Sequence, residues 1–246
     1  IENIIFVVSH HKQAIESFFS SHLLYEDYLL NHCKIEYAGE MVRISQLANF
    51  SFVYAKPPYG NGGALYPAKP FVQDEAFVVV WADEIMISKG KPRIKQCIEA
   101  YEKIRKPIIS AVKIDDPKQR CRYGMAQLKD VVGSKDIKEI VKIVEKPKEG
   151  KEPSAYAAHG AYVVTQEIFS AFDETFLGTD GELWMPDLIN TVRKKTKFYA
   201  KLMDDVQYLD CGVPDAYLKS QIQYALHNPE SAKWMKKYLK SIVNKF

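Results

Sequence analysis

Phe77-Val78-Val79-Val80-Trp81-Ala82-Asp83 is the stretch that decides the fold. An unbroken apolar run from Phe77 to Trp81 reads as a strand buried on both faces, the kind found in sheets covered by helices. Asp83 then stands where a loop leaves the strand's carboxyl end, the place where open α/β sheets bind ligands. Outward on one side, Pro92 to Ile104 has helical periodicity and Pro107 to Lys113 is again a strand. On the other side, Ile4 to Val8 is a β-branched strand, Ser9 is expected to cap a helix from about Lys12, and Phe50 to Ala55 is a further strand. Strands alternating with helices imply an α/β fold with a mixed, mostly parallel sheet flanked by helices.

The second half is less regular. Ile137 to Glu145, Gly160 to Thr165, Phe198 to Met203 and Gln207 to Asp210 read as strands. Gln166 to Phe172, Glu182 to Lys195 and Asp215 to Leu226 read as helices. No repeat, low-complexity tract or long linker divides the chain, so residues 1–246 are expected to form a single domain.

Composition narrows the function classes. The hydrophobic and charged fractions, 47% and 26%, are those of a soluble globular protein, and no apolar run is long enough to span a membrane. A net charge of +3, with lysines scattered singly, gives no nucleic-acid footprint. The basic stretch Lys233 to Lys245 alternates with apolar residues and reads as a terminal amphipathic helix packed on the body. Cys33, Cys97, Cys121 and Cys211 form no CxxC pair, which argues against a zinc ribbon or disulfide scaffold and suits a reducing cytoplasm. His10 and His11 lack a third ligand at suitable spacing and read as structural or surface residues.

Several short segments carry candidate chemistry. Asp210 ends an apolar strand just as Asp83 does, and either alone is equally an N-cap or turn former. Together they suit one Mg²⁺ shared between protein and substrate phosphates, since hard cations prefer oxygen ligands. The loop Pro57-Pro58-Tyr59-Gly60-Asn61-Gly62-Gly63-Ala64 offers close backbone approach and free N–H groups at a helix start. It matches neither the dinucleotide nor the P-loop fingerprint, and an ordinary turn is the competing reading. Val144-Glu145-Lys146-Pro147 places an acid and a base at a strand end, functional or a surface ion pair. Arg122-Tyr123-Gly124 interrupts a strand-like stretch where a sugar or phosphate has room against Gly124. Gly181-Glu182 with Asp187 opens a helix.

In this order and spacing the segments resemble the bacterial UTP–glucose-1-phosphate uridylyltransferases, from about Glu2 to Pro229. The loop with Gly60, Gly62 and Gly63 resembles that family's second glycine-rich loop, which lies against the nucleotide. Phe77 to Glu84 and Tyr208-Leu209-Asp210-Cys211-Gly212 look like its two metal-binding segments, which makes Asp83 and Asp210 the expected ligands of Mg²⁺. Tyr123-Gly124 matches a YG pair whose glycine contacts the sugar. Glu145-Lys146-Pro147 matches an EKP motif whose acid binds sugar hydroxyls and whose lysine binds the sugar's phosphate. Pro153-Ser154 with Gly160 and Tyr162, and Gly181-Glu182 with Asp187, are similar to further substrate-binding segments. The resemblance implies a Rossmann-like nucleotidyltransferase fold. It also implies transfer of a nucleotidyl group from a nucleoside triphosphate to a sugar 1-phosphate, with no nucleic-acid or membrane partner and compatible with a homo-oligomer.

Two departures shape the expectation. Family members open with a GxGTRxxPxTK-type loop that grips the triphosphate, and this chain starts at Ile1 without it. The chain as written is therefore expected to be inactive and to need upstream residues. A non-catalytic module that binds a nucleotide sugar or sugar phosphate is the alternative. The family's base-reading Gln falls at Ala55, so the resemblance does not carry uridine specificity with it. A nicotinamide-dependent oxidoreductase fits the α/β pattern but lacks a glycine fingerprint.

Overall fold

A computed structural model describes residues 1–173 and 181–243, which gather into two compact units. Lys245, within the expected basic terminal helix, lies outside the described residues.

One unit comprises Ile1–Glu75 with Gln166–Thr191. Strand β1 (Asn3–Val8) pairs in parallel with β2 (Asn49–Tyr54), in register from Asn3 opposite Asn49 to Val8 opposite Tyr54. Three helices, α1 (Gln13–Phe19), α2 (Leu23–Asn31) and α3 (Ile35–Ser45), form the crossover that a parallel pair needs. Phe6 gathers Phe19, Phe50 and Phe52 around it, with ring centroids 4.8, 5.8 and 5.3 Å away. Ser9 does not cap α1: the helix starts later, Lys12 holds the cap position, and Ser9 contributes only a backbone carbonyl to the Lys12 amide. A 3₁₀ helix over Gly63–Phe71, another over Gln166–Asp173, and α6 (Met185–Val192) complete the unit.

The other unit comprises Ala76–Thr165 and the chain from Val192 onward. Its six-stranded sheet runs in the order β3 (Phe77–Val79), β8 (Tyr156–Val164), β5 (Ile108–Lys113), β9 (Tyr199–Leu202), β7 (Ser134–Val144), β6 (Met125–Val131). Helix α4 (Arg93–Ile104) covers one face, and its Cys97 and Ala100 join Ile108, Val112, Ala161 and Val163 in the core. A separate antiparallel ribbon pairs β4 (Glu84–Ser88) with β10 (Val206–Asp210). A four-residue turn of helix, α5 (Pro117–Arg120), precedes Arg122. Helix α7 (Pro214–His227) packs on β10, and the amphipathic α8 (Pro229–Val243) packs on α7.

The α/β class and the mixed sheet are as the sequence implies, but the balance of directions is not. Among the described pairings only β1–β2 and β5–β9 run parallel. One antiparallel pair follows from a short connection: β6 and β7 form a hairpin around Val132-Gly133, where Gly133 takes φ +80°. Two-residue hairpin turns require such positive φ.

Candidate functional site

Asp83 and Asp210 meet, though not at the edge of a parallel sheet. β3 ends at Val79, and Asp83 lies just before β4. Antiparallel pairing then sets Glu84 opposite Asp210, and the Cys211 amide donates to the Asp83 carbonyl at 2.8 Å. Ser220 on α7 donates its hydroxyl to the Asp210 carbonyl at 2.8 Å and fixes the end of β10. Both carboxylates press on the bare Cα of Gly212: a Cβ there would stand 3.0 Å from Asp83 Oδ2 and 3.3 Å from Asp210 Oδ1. Asp210 Oδ1 also accepts the Gly212 amide at 2.8 Å.

Among the described residues no cluster of three His, Cys, Asp or Glu side chains could hold a metal. Mg²⁺ asks for less, because it usually takes one or two carboxylates and completes its shell with water and substrate phosphates. The donor set at the Gly212 cradle fits that demand.

Arg122 Nη2 lies 2.7 Å from Asp210 Oδ2, and Arg122 Nη1 donates to Gln119 Oε1 at 3.1 Å. Burial first, then the nearby Asp210 charge, raises the pKa of the neighbouring Tyr123. Tyr208, two residues before Asp210 in β10, is pushed up by burial and then by the Glu84 carboxylate.

The sugar-side residues named from the sequence also lie in this unit. Gly124 is buried at the head of β6, and its carbonyl accepts the Ala158 amide at 2.8 Å. The Lys146 amide donates to the Tyr123 carbonyl at 3.1 Å, which brings the Glu145-Lys146 turn beside Tyr123-Gly124. Lys146 is exposed and takes φ +41°, in the left-handed region that side chains rarely occupy. Gly160 is buried in β8, and a Cβ there would meet the Tyr162 ring at 3.2 Å and the Trp81 indole at 3.3 Å.

Gly60, Gly62 and Gly63 lie in the other unit, where they serve a close approach of two backbones. Tyr59 O accepts the Leu183 amide at 2.8 Å, and Leu183 O accepts the amides of Gly62 and Gly63 at 2.9 and 3.2 Å. Asn61 Oδ1 accepts the Met185 amide at 2.7 Å. A Cβ on Gly60 would stand 2.5 Å from Leu183 O and 3.1 Å from the Glu182 Cβ. The expectation of free N–H groups at this helix start is thereby corrected, since these two amides are committed to Leu183. Asp187 falls in the first turn of α6. The Ala55 amide donates to Val8 O at 2.9 Å and extends the β1–β2 ladder. His10 and His11 are exposed, and His10 stacks on Tyr54 at 4.5 Å.

Sequence reasoning missed three residues beneath the aspartates. Glu84 Oε1 lies 3.0 Å from His159 Nδ1, and Glu84 Oε2 lies 3.1 Å from Arg93 Nη1. Burial lowers the Arg93 pKa, and the Glu84 charge opposes that shift. One signal was available: His159 interrupts an otherwise small and apolar strand, Ala157-Ala158-His159-Gly160-Ala161.

Residues 2–226 match the family model described as Nucleotidyl transferase. The chain is 34% identical to UTP–glucose-1-phosphate uridylyltransferase 2 of Staphylococcus saprophyticus, over 98% of this chain and 82% of that protein. It is 32% identical to UTP–glucose-1-phosphate uridylyltransferase of Mycoplasma genitalium, over 95% of this chain and 79% of that one. UDP-glucose pyrophosphorylase from Acinetobacter baumannii superposes with a TM-score of 0.86 at 24% identity, covering 98% of this chain and 83% of that one, a likeness of fold.

Proposed function

Because the chain belongs to the nucleotidyl transferase family, we propose that it joins UTP and glucose 1-phosphate into UDP-glucose, releasing pyrophosphate. The observation that carries the reading is the meeting of Asp83 and Asp210 over Gly212, in a chain whose relatives bear the uridylyltransferase name.

In this reaction a phosphate oxygen of the sugar phosphate bonds to the α-phosphorus of UTP, and the bond from that phosphorus to the bridging oxygen of pyrophosphate breaks. No protein nucleophile is needed; in-line positioning and charge neutralisation suffice. Asp83 and Asp210 would hold a magnesium ion, which when bound neutralises charge on phosphate oxygens. Lys146 offers its ammonium to the phosphate of the sugar, and Glu145 accepts hydrogen bonds from sugar hydroxyls. Gly124 and Gly160 leave room for the sugar ring. Gly60, Gly62 and Gly63 shape a loop for substrate, now through its contour rather than through donated amides, and Glu182 binds substrate beside it. The four free thiols fit a reducing, cytoplasmic setting.

Pyrophosphate release from UTP and glucose 1-phosphate, with and without Mg²⁺, tests the proposal, assayed with this chain and with a form extended upstream of Ile1. Turnover should require the ion and fall at least about a hundredfold in Asp83→Asn. Turnover unchanged by both chelation and Asp83→Asn would overturn it.

A further inference from the structure

We propose that Glu84, Arg93 and His159 form a buried positioning network that holds the β4–β10 ladder, and through it Asp83 and Asp210, in the arrangement that accepts the cation. The inference rests on the metal reading above and concerns residues to which that reading gives no role.

Glu84 follows Asp83 in the chain and faces Asp210 across the ladder, so its backbone adjoins both aspartates. Its two oxygens are engaged separately, one by Arg93 Nη1 at 3.1 Å and one by His159 Nδ1 at 3.0 Å. The side chains are nearly dry, 11% exposed for Glu84, 8% for Arg93 and 3% for His159. Arg93 opens α4 and His159 lies mid-strand in β8, so one carboxylate ties the ribbon to both the helix and the main sheet. Tyr208 of β10 closes the arrangement, its ring centroid 4.2 Å from that of His159.

Two observations separate positioning from packing. Carboxylates directly opposite each other on a ladder repel. Arg93 and His159 draw the Glu84 charge to the buried side, away from Asp210. Moreover, His159 Nε2 is buried without a hydrogen-bond partner among the described residues. An unsatisfied buried nitrogen is costly, and an apolar residue would fill the same space without that cost. The contact made by Nδ1 with Glu84 is what sets histidine apart from such a residue here.

The test uses Mn²⁺ as probe, titrated against the protein and followed by the electron paramagnetic resonance of the free ion. Circular dichroism and thermal melting show that each variant is folded. Glu84→Gln and His159→Leu should weaken Mn²⁺ binding about tenfold, the usual scale for losing a partner that orients metal ligands. His159→Asn keeps an N–H donor near the Nδ1 position and should stay within about threefold of the parent. If the leucine variant fails to fold, Glu84→Gln and His159→Asn decide between them. A folded His159→Leu with parental affinity, an asparagine variant as weak as leucine, or a Glu84→Gln with parental affinity would each overturn the network. Asp83→Asn separates the two ideas. If it abolishes binding while the network variants bind normally, the network alone falls; if it binds as the parent does, the metal reading falls and takes the network with it.

Discussion

The Arg122 guanidinium lies 2.7 Å from the Asp210 carboxylate, at the mouth of the Gly212 cradle. Arg122 therefore shares with any incoming cation one of the two carboxylates that would bind it. Its side chain is 38% exposed, so solvent screens the pair and the contact adds little to stability.

A consequence follows for metal affinity. Removing a fixed positive charge this close lowers the repulsion that a divalent ion meets, by an amount set by the effective dielectric at a protein surface. Arg122→Met should tighten Mn²⁺ binding to the ligand-free protein about threefold to tenfold. Melting should shift little. Weaker binding in the variant would show that Arg122 orders Asp210 more than it competes for it.

Lys146 joins a proposed role to backbone strain. Its φ of +41° is costly for a residue with a Cβ and costs glycine little. Lys146→Gly should therefore melt above Lys146→Ala, with a difference of about 1 kcal/mol. Both variants should lose glucose 1-phosphate affinity in calorimetry far more than nucleotide affinity. An alanine variant as stable as the glycine variant would show that the turn carries no strain.

The legible parts of the molecule were those in which one residue run settles its own fate. Ile108 to Val112 is buried at every position, and its apolar run announces it. The β1 strand carries a comparable run from Ile4 to Val8, while β2 alternates around Ser51 and buries only Val53. Strand direction was not legible, because the partner of Glu84–Ser88 is Val206–Asp210, far along the chain, and no local pattern selects it. The β6–β7 hairpin was legible only in its second strand: Lys129, Asp130, Lys135 and Asp136 flank the turn and break any apolar run there. Helices α2 and α3 present Leu24, Ile35 and Tyr37 to the surface, so no single apolar stripe marks them. At the candidate site, the two aspartates come together by a route other than the expected one. Both end apolar stretches, as read, but an antiparallel ribbon rather than a parallel edge brings them together.

Glycine positions separate packing from propensity. A Cβ on Gly63 would collide with the Pro58 carbonyl oxygen, a backbone atom that cannot turn aside. Gly63→Ala should destabilise the protein by more than about 2 kcal/mol, as overpacking against fixed atoms does. Gly39, within α3, has nothing within 4 Å of such a Cβ. Gly39→Ala should stabilise by about 0.5–1 kcal/mol, because alanine limits the unfolded chain and favours helix. Urea titration of both variants checks the pair, and equal shifts for the two would contradict the packing at Gly63.

Cysteine reactivity gives a prediction whose sign depends on pH. Cys97 is fully buried in the core of the sheet-bearing unit, and burial pushes its thiol up to about 12, against the opposing charges of Arg93 and Lys201. Only the thiolate attacks disulfide reagents, so at pH 8 Cys97 should be inert while the exposed Cys33 and Cys121 react. Because the folded thiol holds its proton more tightly than the unfolded one, the native state binds more protons between the ordinary thiol range and about pH 12. Its contribution to stability is complete below the ordinary thiol pKa and is lost as pH rises through that window. Labelling with a chromogenic disulfide at pH 8, followed by peptide mass mapping, should find Cys97 unmodified until guanidinium unfolds the chain. Modification of Cys97 at the rate of Cys33 in the native protein would mean that α4 opens readily from the sheet, and the packing that also carries Arg93 to Glu84 would be wrong.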